Sequence, residues 1–416
     1  MTNNHISNKE RIDKHIDTLA WYNSTPTKGI TRFSYTEQDR KAREYLLDKM
    51  AELGLQITQD SVGNIRARLE GSYSDAPPVL TGSHIDTVRH GGKYDGVVGV
   101  VCALEALTVF KEQSYIPQRP IDLIIFVEEE GVNFGAGLAG SKALVGTYTP
   151  ETLKTLVNDD GVSMYDGAKS FGLDPDTMGD HLLKPGDAHA MVEVHIEQSV
   201  VLDTEKISLG IVTGIAGIEW LRVEIEGQPD HAGAMPMQYR KDPMAGAAEI
   251  IATIEETARS GALPTTVATV GKILCSPNVP NVIPEKVHLV VDIRDVDPAG
   301  IETVTRMLIQ KLEQVASRRN LSYTVKNVSS IGPTTCSEKV VDALEQSAKK
   351  RGIAYKYMIS GALHDTAVLA GITEVGMLFV PSIHGRSHCP QEYTSIDDIA
   401  KGCDVLLGAL EKLSKL

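Results

Sequence analysis

The chain has 416 residues, 42% of them apolar and 23% charged, with a formal net charge of -14. These proportions describe a soluble globular protein and exclude disordered and fibrous classes, while the acidic balance without any basic run excludes a nucleic-acid partner, whose phosphates call for Lys and Arg. Because a single core stops growing at roughly 250 to 300 residues, two domains are expected.

Residues 1–10 are polar and contain no apolar segment that could act as a signal or transit peptide. A helix is predicted over 36–54, opened by a capping box of Thr36 and Asp39 and stopped by Gly54. Short apolar runs at 79–81, 121–127, 191–196 and 375–380, flanked by turn or polar residues, read as strands of an α/β sheet, and 96–113 reads as a buried helix. The longest apolar stretches, such as 97–104, fall short of the roughly 20 residues that span a membrane, so a cytoplasmic protein without a membrane partner is expected. Between 214 and 328 the order changes to strand 218–226, helix 242–260, strand 265–273, strand 286–294, helix 298–318 and strand 321–325. That βαββαβ order is ferredoxin-like and closes on itself. The reading is therefore a catalytic α/β domain in two parts, 1–213 and 329–416, with a small domain inserted between them. Five scattered cysteines, with no Cys-x-x-Cys pair, fit reduced thiols.

The residues able to carry chemistry fall at predicted strand ends. Gly82-Ser83-His84-Ile85-Asp86-Thr87 ends a strand, and Gly92-Lys93-Tyr94-Asp95-Gly96 opens the buried helix. One His and two Asp in this space can bind a divalent cation, with Asp95 able to bridge two ions. The alternative is that Asp95 caps the helix and His84 is a satisfied core residue. Glu128-Glu129-Glu130 follows the strand at 121–127, either as a solvated turn or as carboxylates crowded at a cleft, where only a cation or a proton relieves their repulsion. In the second case one carboxylate ligates and its neighbour acts as general base towards water. His195 and His388 end other segments of the same domain, each weak alone but together completing a two-ion set. In the inserted region His231, Asn281 and Arg294 stand out. Arg294 is either a plain strand residue or the partner of a substrate carboxylate.

At these residues the sequence resembles the amidase/hydantoinase/carbamoylase branch of the zinc-dependent aminoacylase and carboxypeptidase superfamily, which includes N-carbamoyl-L-amino-acid hydrolase, allantoate amidohydrolase and β-ureidopropionase. The resemblance covers nearly the whole chain and rests on the ordered set Gly82-Ser83-His84-x-Asp86-Thr87, Gly92 to Gly96, Glu129-Glu130-Gly131, His195-Ile196-Glu197-Gln198, His231-Ala232-Gly233, Asp292-x-Arg294 and Ser387-His388. It implies two divalent metal ions per subunit (zinc, manganese, cobalt or nickel), one held by Asp95, Glu130 and His388 and the other by Asp95, His84 and His195. Glu129 is then the general base, and the Asp86 carboxylate orients His84. Gln198, His231, Asn281 and Arg294 match substrate-binding positions, with His231 stabilising the oxyanion, and a homodimer built through the inserted domain is implied.

The implied activity is removal of the carbamoyl group from an N-carbamoyl-L-amino acid. The segment Ile211-Val212-Thr213-Gly214-Ile215-Ala216-Gly217 resembles the carbamoyl-amino-acid hydrolases more than the allantoate enzymes, which implies the former substrate. The chain departs from the family pattern at Asn133-Phe134 and at Gly361-Ala362-Leu363-His364-Asp365, and both departures bear on substrate choice. Rival readings are allantoate or N-carbamoyl-β-alanine as substrate, a peptidase or deacylase, and a binding relative without catalysis.

Overall fold

Strands Val79–His84, Ile121–Phe126 and Ala190–Ile196 are buried at every residue. Alternate side chains enter two apolar clusters: Val79, Leu123 and Val192 lie in one, and Leu80, Ile124 and Met191 in another. Apolar packing on both faces is the usual condition of parallel strands. Here Val79–His84 runs parallel to both Ile121–Phe126 and Ala190–Ile196, and Glu374–Val380 is parallel to Ala190–Ile196 on its other side. Gln56–Gln59 and Ile65–Leu69 extend the sheet beyond Ile121–Phe126, and Leu209–Ile215 continues it antiparallel to Glu374–Val380. The helix Val97–Glu112 is buried from Val97 to Phe110, as expected of a helix that is apolar all round. Lys9–Trp21 and Ile396–Leu413 pack against it.

The computed structural model describes residues 5–416. They divide into two compact units, one running up to Thr213 and including Cys336–Met358 and His364–Leu416, the other formed by Gly214–Thr335 and Ile359–Leu363. The first unit resumes later than the expected 329, because the last strand of the second unit runs on as Ser322–Ile331, pairing with Gly217–Glu226 as far as Ile331 opposite Ile218. In the second unit the antiparallel order is Ser322–Ile331, Gly217–Glu226, Lys286–Asp295, Val267–Ser276, the fourth, first, third and second strands of a ferredoxin-like arrangement. Along Lys286–Asp295 burial alternates, and Val287, Leu289, Val291 and Ile293 meet Ala247, Ile250, Val304 and Leu308 from the helices Pro243–Glu256 and Pro298–Arg319.

The capping box predicted at Thr36 is shifted. Thr36 accepts from the Asp39 N–H, but Asp39 reaches back to the Tyr35 N–H at 2.9 Å instead of to Thr36, while also holding Arg43. The five cysteines are free. Among the described residues no helix is long and apolar enough to cross a membrane.

Candidate metal centre

The first unit gathers its charged groups at the carboxyl ends of its parallel strands, the edge where open α/β sheets place ligands. His84 is the last residue of Val79–His84, His195 is next to last in Ala190–Ile196, Glu128 to Glu130 follow Ile121–Phe126, and His388 follows Glu374–Val380. Asp95 comes from the turn before Val97–Glu112. That turn requires glycine at position 96, where φ is +66° and a Cβ would stand 2.4 Å from the His84 ring.

Asp95 does not cap the helix, since no side-chain cap bond is made there. Its Oδ1 lies 3.3 Å from His195 Nε2 and 3.6 Å from His84 Nε2, and its Oδ2 lies 3.4 Å from His388 Nε2. His84 Nε2 is 3.5 Å from Glu129 Oε2, and His388 Nε2 is 3.5 Å from Glu130 Oε2. Tetrahedral ligands at about 2.0 to 2.2 Å from an ion stand about 3.3 to 3.6 Å apart, which is the spacing found here. Two triads result, His84 with Asp95 and His195, and Asp95 with Glu130 and His388, each able to hold a cation.

The hydrogen bonds point the same way. His84 Nδ1 meets the Asp86 carbonyl at 3.0 Å and His195 Nδ1 meets the Ile196 carbonyl at 2.9 Å. A carbonyl only accepts, so each ring carries a proton on Nδ1 and turns its Nε2 towards Asp95. His84 Nε2 and Glu130 Oε1 are buried without any hydrogen-bond partner, the condition of ligands aimed at an ion and a costly one for polar atoms otherwise. His84 is therefore not a satisfied core residue.

Electrostatics add a third argument. Burial pushes Glu129 well above the usual carboxylate range, with Glu130 adding to it, and burial together with Asp95 lifts Glu130 to about 7. His388, bonded to Asp95, is raised to about 9. Burial alone would raise Asp95, yet His195 and the other two histidines hold it well below its ordinary value. The cluster thus draws protons where its carboxylates crowd, a deficit of positive charge that divalent cations would meet.

Several neighbours act differently from the sequence reading or were missed by it. The Asp86 carboxylate was assigned to His84, but its Oδ1 is 3.7 Å from Nδ1 while the backbone carbonyl takes the ring proton. The carboxylate instead receives the N–H groups of Glu129 at 3.3 Å and Glu130 at 3.1 Å, fixing the turn that carries them. Glu128, with φ of 54°, turns inward and accepts from the N–H groups of Asn133 and Phe134, which gives the Asn133-Phe134 departure a structural setting. The Gln198 amide donates to Asp95 Oδ2 at 2.7 Å, as does the Ser387 hydroxyl. Unforeseen were Glu392, which accepts from the N–H groups of Tyr94 and Asp95, and Glu193, which accepts from Ser83 and Thr366 beside the buried His364. Alternation within Ala190–Ile196, placing Glu193 on the same face as His195, was the available signal for the latter.

His231, Asn281 and Arg294 belong to the second unit. His231 and Asn281 are exposed, and Arg294 is paired with Asp292.

Residues 80–412 match the peptidase family M20/M25/M40. The chain is 40% identical over 406 residues to an N-carbamoyl-L-amino acid amidohydrolase of Geobacillus stearothermophilus, with 98% of each covered. It is 38% identical over 409 residues to a ureidoglycolate hydrolase of Arabidopsis thaliana, covering 97% of this chain and 86% of the relative. A crystal structure of an amidase of the hydantoinase/carbamoylase family from Burkholderia multivorans superposes with a TM-score of 0.92 at 29% identity, over 99% of this chain and 98% of that one.

Proposed function

Given that the chain belongs to peptidase family M20/M25/M40, in its hydantoinase/carbamoylase branch, and is a hydrolase of C–N bonds other than peptide bonds, we propose that it removes the carbamoyl group from an N-carbamoyl-L-amino acid. The products are the amino acid, ammonia and carbon dioxide. The observation that carries the reading is the convergence of His84, His195, His388 and Glu130 on the two oxygens of Asp95, with Glu129 Oε2 beside the first triad.

His84, Asp95 and His195 would hold one divalent cation, and Asp95, Glu130 and His388 a second, donor sets that suit zinc, manganese, cobalt or nickel. Bound cations supply polarisation of the ureido carbonyl and acidification of water. Glu129 accepts the proton of the attacking water and delivers it to the departing nitrogen, and the released carbamic acid breaks down to ammonia and carbon dioxide. Asp86 serves this step by holding the Glu129 and Glu130 N–H groups. His231 donates to the oxyanion. Its Nδ1 accepts the N–H groups of Gly233 and Ala234, which leaves its proton on Nε2. Gln198 binds the ureido group, and Arg294 with Asn281 binds the carboxylate. A homodimer through the second unit completes the reading, and sedimentation of the purified chain tests it.

The 38% identity to a ureidoglycolate hydrolase supports a second reading, with ureidoglycolate as the ureido acid. Ammonia release by metal-stripped protein, reloaded with each metal in turn, decides between them when measured on N-carbamoyl-L-amino acids, ureidoglycolate, allantoate and N-carbamoyl-β-alanine. Highest kcat/KM on an N-carbamoyl-L-amino acid is expected, and release from none of the panel would refute the activity.

A further inference from the structure

Arg294 has most of its hydrogen-bonding capacity already committed. Nε and Nη2 donate to the two oxygens of Asp292 at 2.9 and 3.0 Å, and Nη1 donates to the Gly361 carbonyl at 2.9 Å. A guanidinium has five N–H groups in one plane. Three are engaged, and two remain, one on each terminal nitrogen. Asp292 and Arg294 stand two apart on Lys286–Asp295 and so share a face of the sheet. Gly361 belongs to a segment braced on its own account: the Ser360 hydroxyl donates to the Ala362 carbonyl at 2.8 Å, and the Ala216 N–H donates to the Ser360 carbonyl at 2.8 Å.

We infer that Asp292 is a positioning residue for substrate recognition, which together with the Gly361 carbonyl fixes the Arg294 guanidinium so that its two remaining N–H groups form a receptor for one carboxylate. The inference rests on the reading above that Arg294 binds the carboxylate of a ureido acid. An isolated pair whose side chains are 29% and 27% exposed would by itself contribute little to stability. What the arrangement provides is orientation, because acceptors from two separate chain segments define both the plane of the fork and its edge. The remaining pair of donors matches the two oxygens of a planar carboxylate, a match that an ammonium group cannot offer.

Asp292 also places a negative charge beside the site, and this gives the test its direction. If charge dominates, removing Asp292 strengthens the attraction for a carboxylate; if orientation dominates, removal weakens binding. The experiment measures kcat and KM for Asp292→Ala, Asp292→Asn, Arg294→Ala and the Asp292→Ala/Arg294→Ala double variant, on the preferred N-carbamoyl amino acid and on its neutral amide. Inhibition by the product amino acid is measured beside them as a readout without turnover. Asp292→Ala is expected to raise KM for the acid about tenfold or more, with a smaller change in kcat, and to reduce the preference for acid over amide by a similar factor, as for loss of a bidentate contact. Asp292→Asn, which keeps one acceptor oxygen, falls between, and it carries the test if the alanine variant does not fold. The double variant should be no worse than Arg294→Ala alone, because Asp292 acts only through that side chain. Tighter binding of the acid, equal losses on acid and amide, or additive effects in the double variant overturn the inference. Failure of the underlying reading shows separately, as a wild type without preference for the acid or an Arg294→Ala variant that loses nothing.

Discussion

In Val79–His84 and Ala190–Ile196 every residue is buried, and charge collects where the strands end; in Lys286–Asp295 burial alternates, and charged side chains such as Asp292 and Arg294 stand half-exposed along the strand itself. The first sheet excludes water from both faces, so a carboxylate at its tip is stripped of solvent and must find a proton, a donor or a cation. The second sheet covers one face with helices and carries polar groups, among them Asp292 and Arg294, on the other. The buried carboxylates Glu129 and Glu130 therefore belong to the first unit, and the half-exposed pair of Asp292 and Arg294 to the second.

Substitutions can break or sharpen this contrast. The largest effect is expected from Glu129→Gln, which removes the proton acceptor beside His84: kcat should fall about a thousandfold while bound metal, read by elemental analysis of the same preparation, stays at the wild-type level. Next, Leu289→Ala, fully buried in the second unit, should lower unfolding free energy by about 3 kcal/mol in denaturant titrations. Metal content of the folded Leu289→Ala protein should not change, since both triads are built wholly from residues of the first unit. Asp95→Asn should weaken cation binding about a hundredfold in titrations and empty both triads, whereas His195→Ala should affect mainly one; loss of orienting groups behind ligands alone typically costs about 10- to 100-fold. Two ions bound by Asp95→Asn at wild-type affinity would show that it bridges nothing. The smallest effect is Thr36→Ala, which should cost about 1 kcal/mol of stability through the lost helix cap and leave turnover alone.

Much of this was legible in the sequence because it depends on local pattern. The runs at 121–127 and 375–380 announced strands by being short and mostly apolar between turn or polar residues, and 286–294 was legible as a strand within the βαββαβ order. Of the candidate ligands, His84, Glu130 and His195 were legible because each closes or soon follows such a run, and Asp95 because it stands just before the apolar helix at 96–113. What escaped depends on distant segments meeting. Glu392 lies almost 300 positions from the N–H groups of Tyr94 and Asp95 that it accepts. Likewise, nothing local distinguishes the Asp86 carbonyl from its carboxylate as the partner of His84, a choice made by where Glu129 and Glu130 fall. The last strand of the second unit read short because its outer part is polar, and its length is set by pairing with Gly217–Glu226 and not by its own composition.

The position of Glu374–Val380 has a consequence for how the molecule is made. It lies between Ala190–Ile196 and Leu209–Ile215 and pairs with both, yet it is synthesised after both of them and after the whole of Gly214–Thr335. Until then the growing chain carries a sheet whose middle is missing, with two apolar strand edges unpaired, while the four-stranded sheet within Gly214–Thr335 and the two helices packed on it are already complete and free to fold. Release of a chain truncated just before residue 374 would leave those edges open to any other strand, and aggregation is the outcome expected of such a fragment.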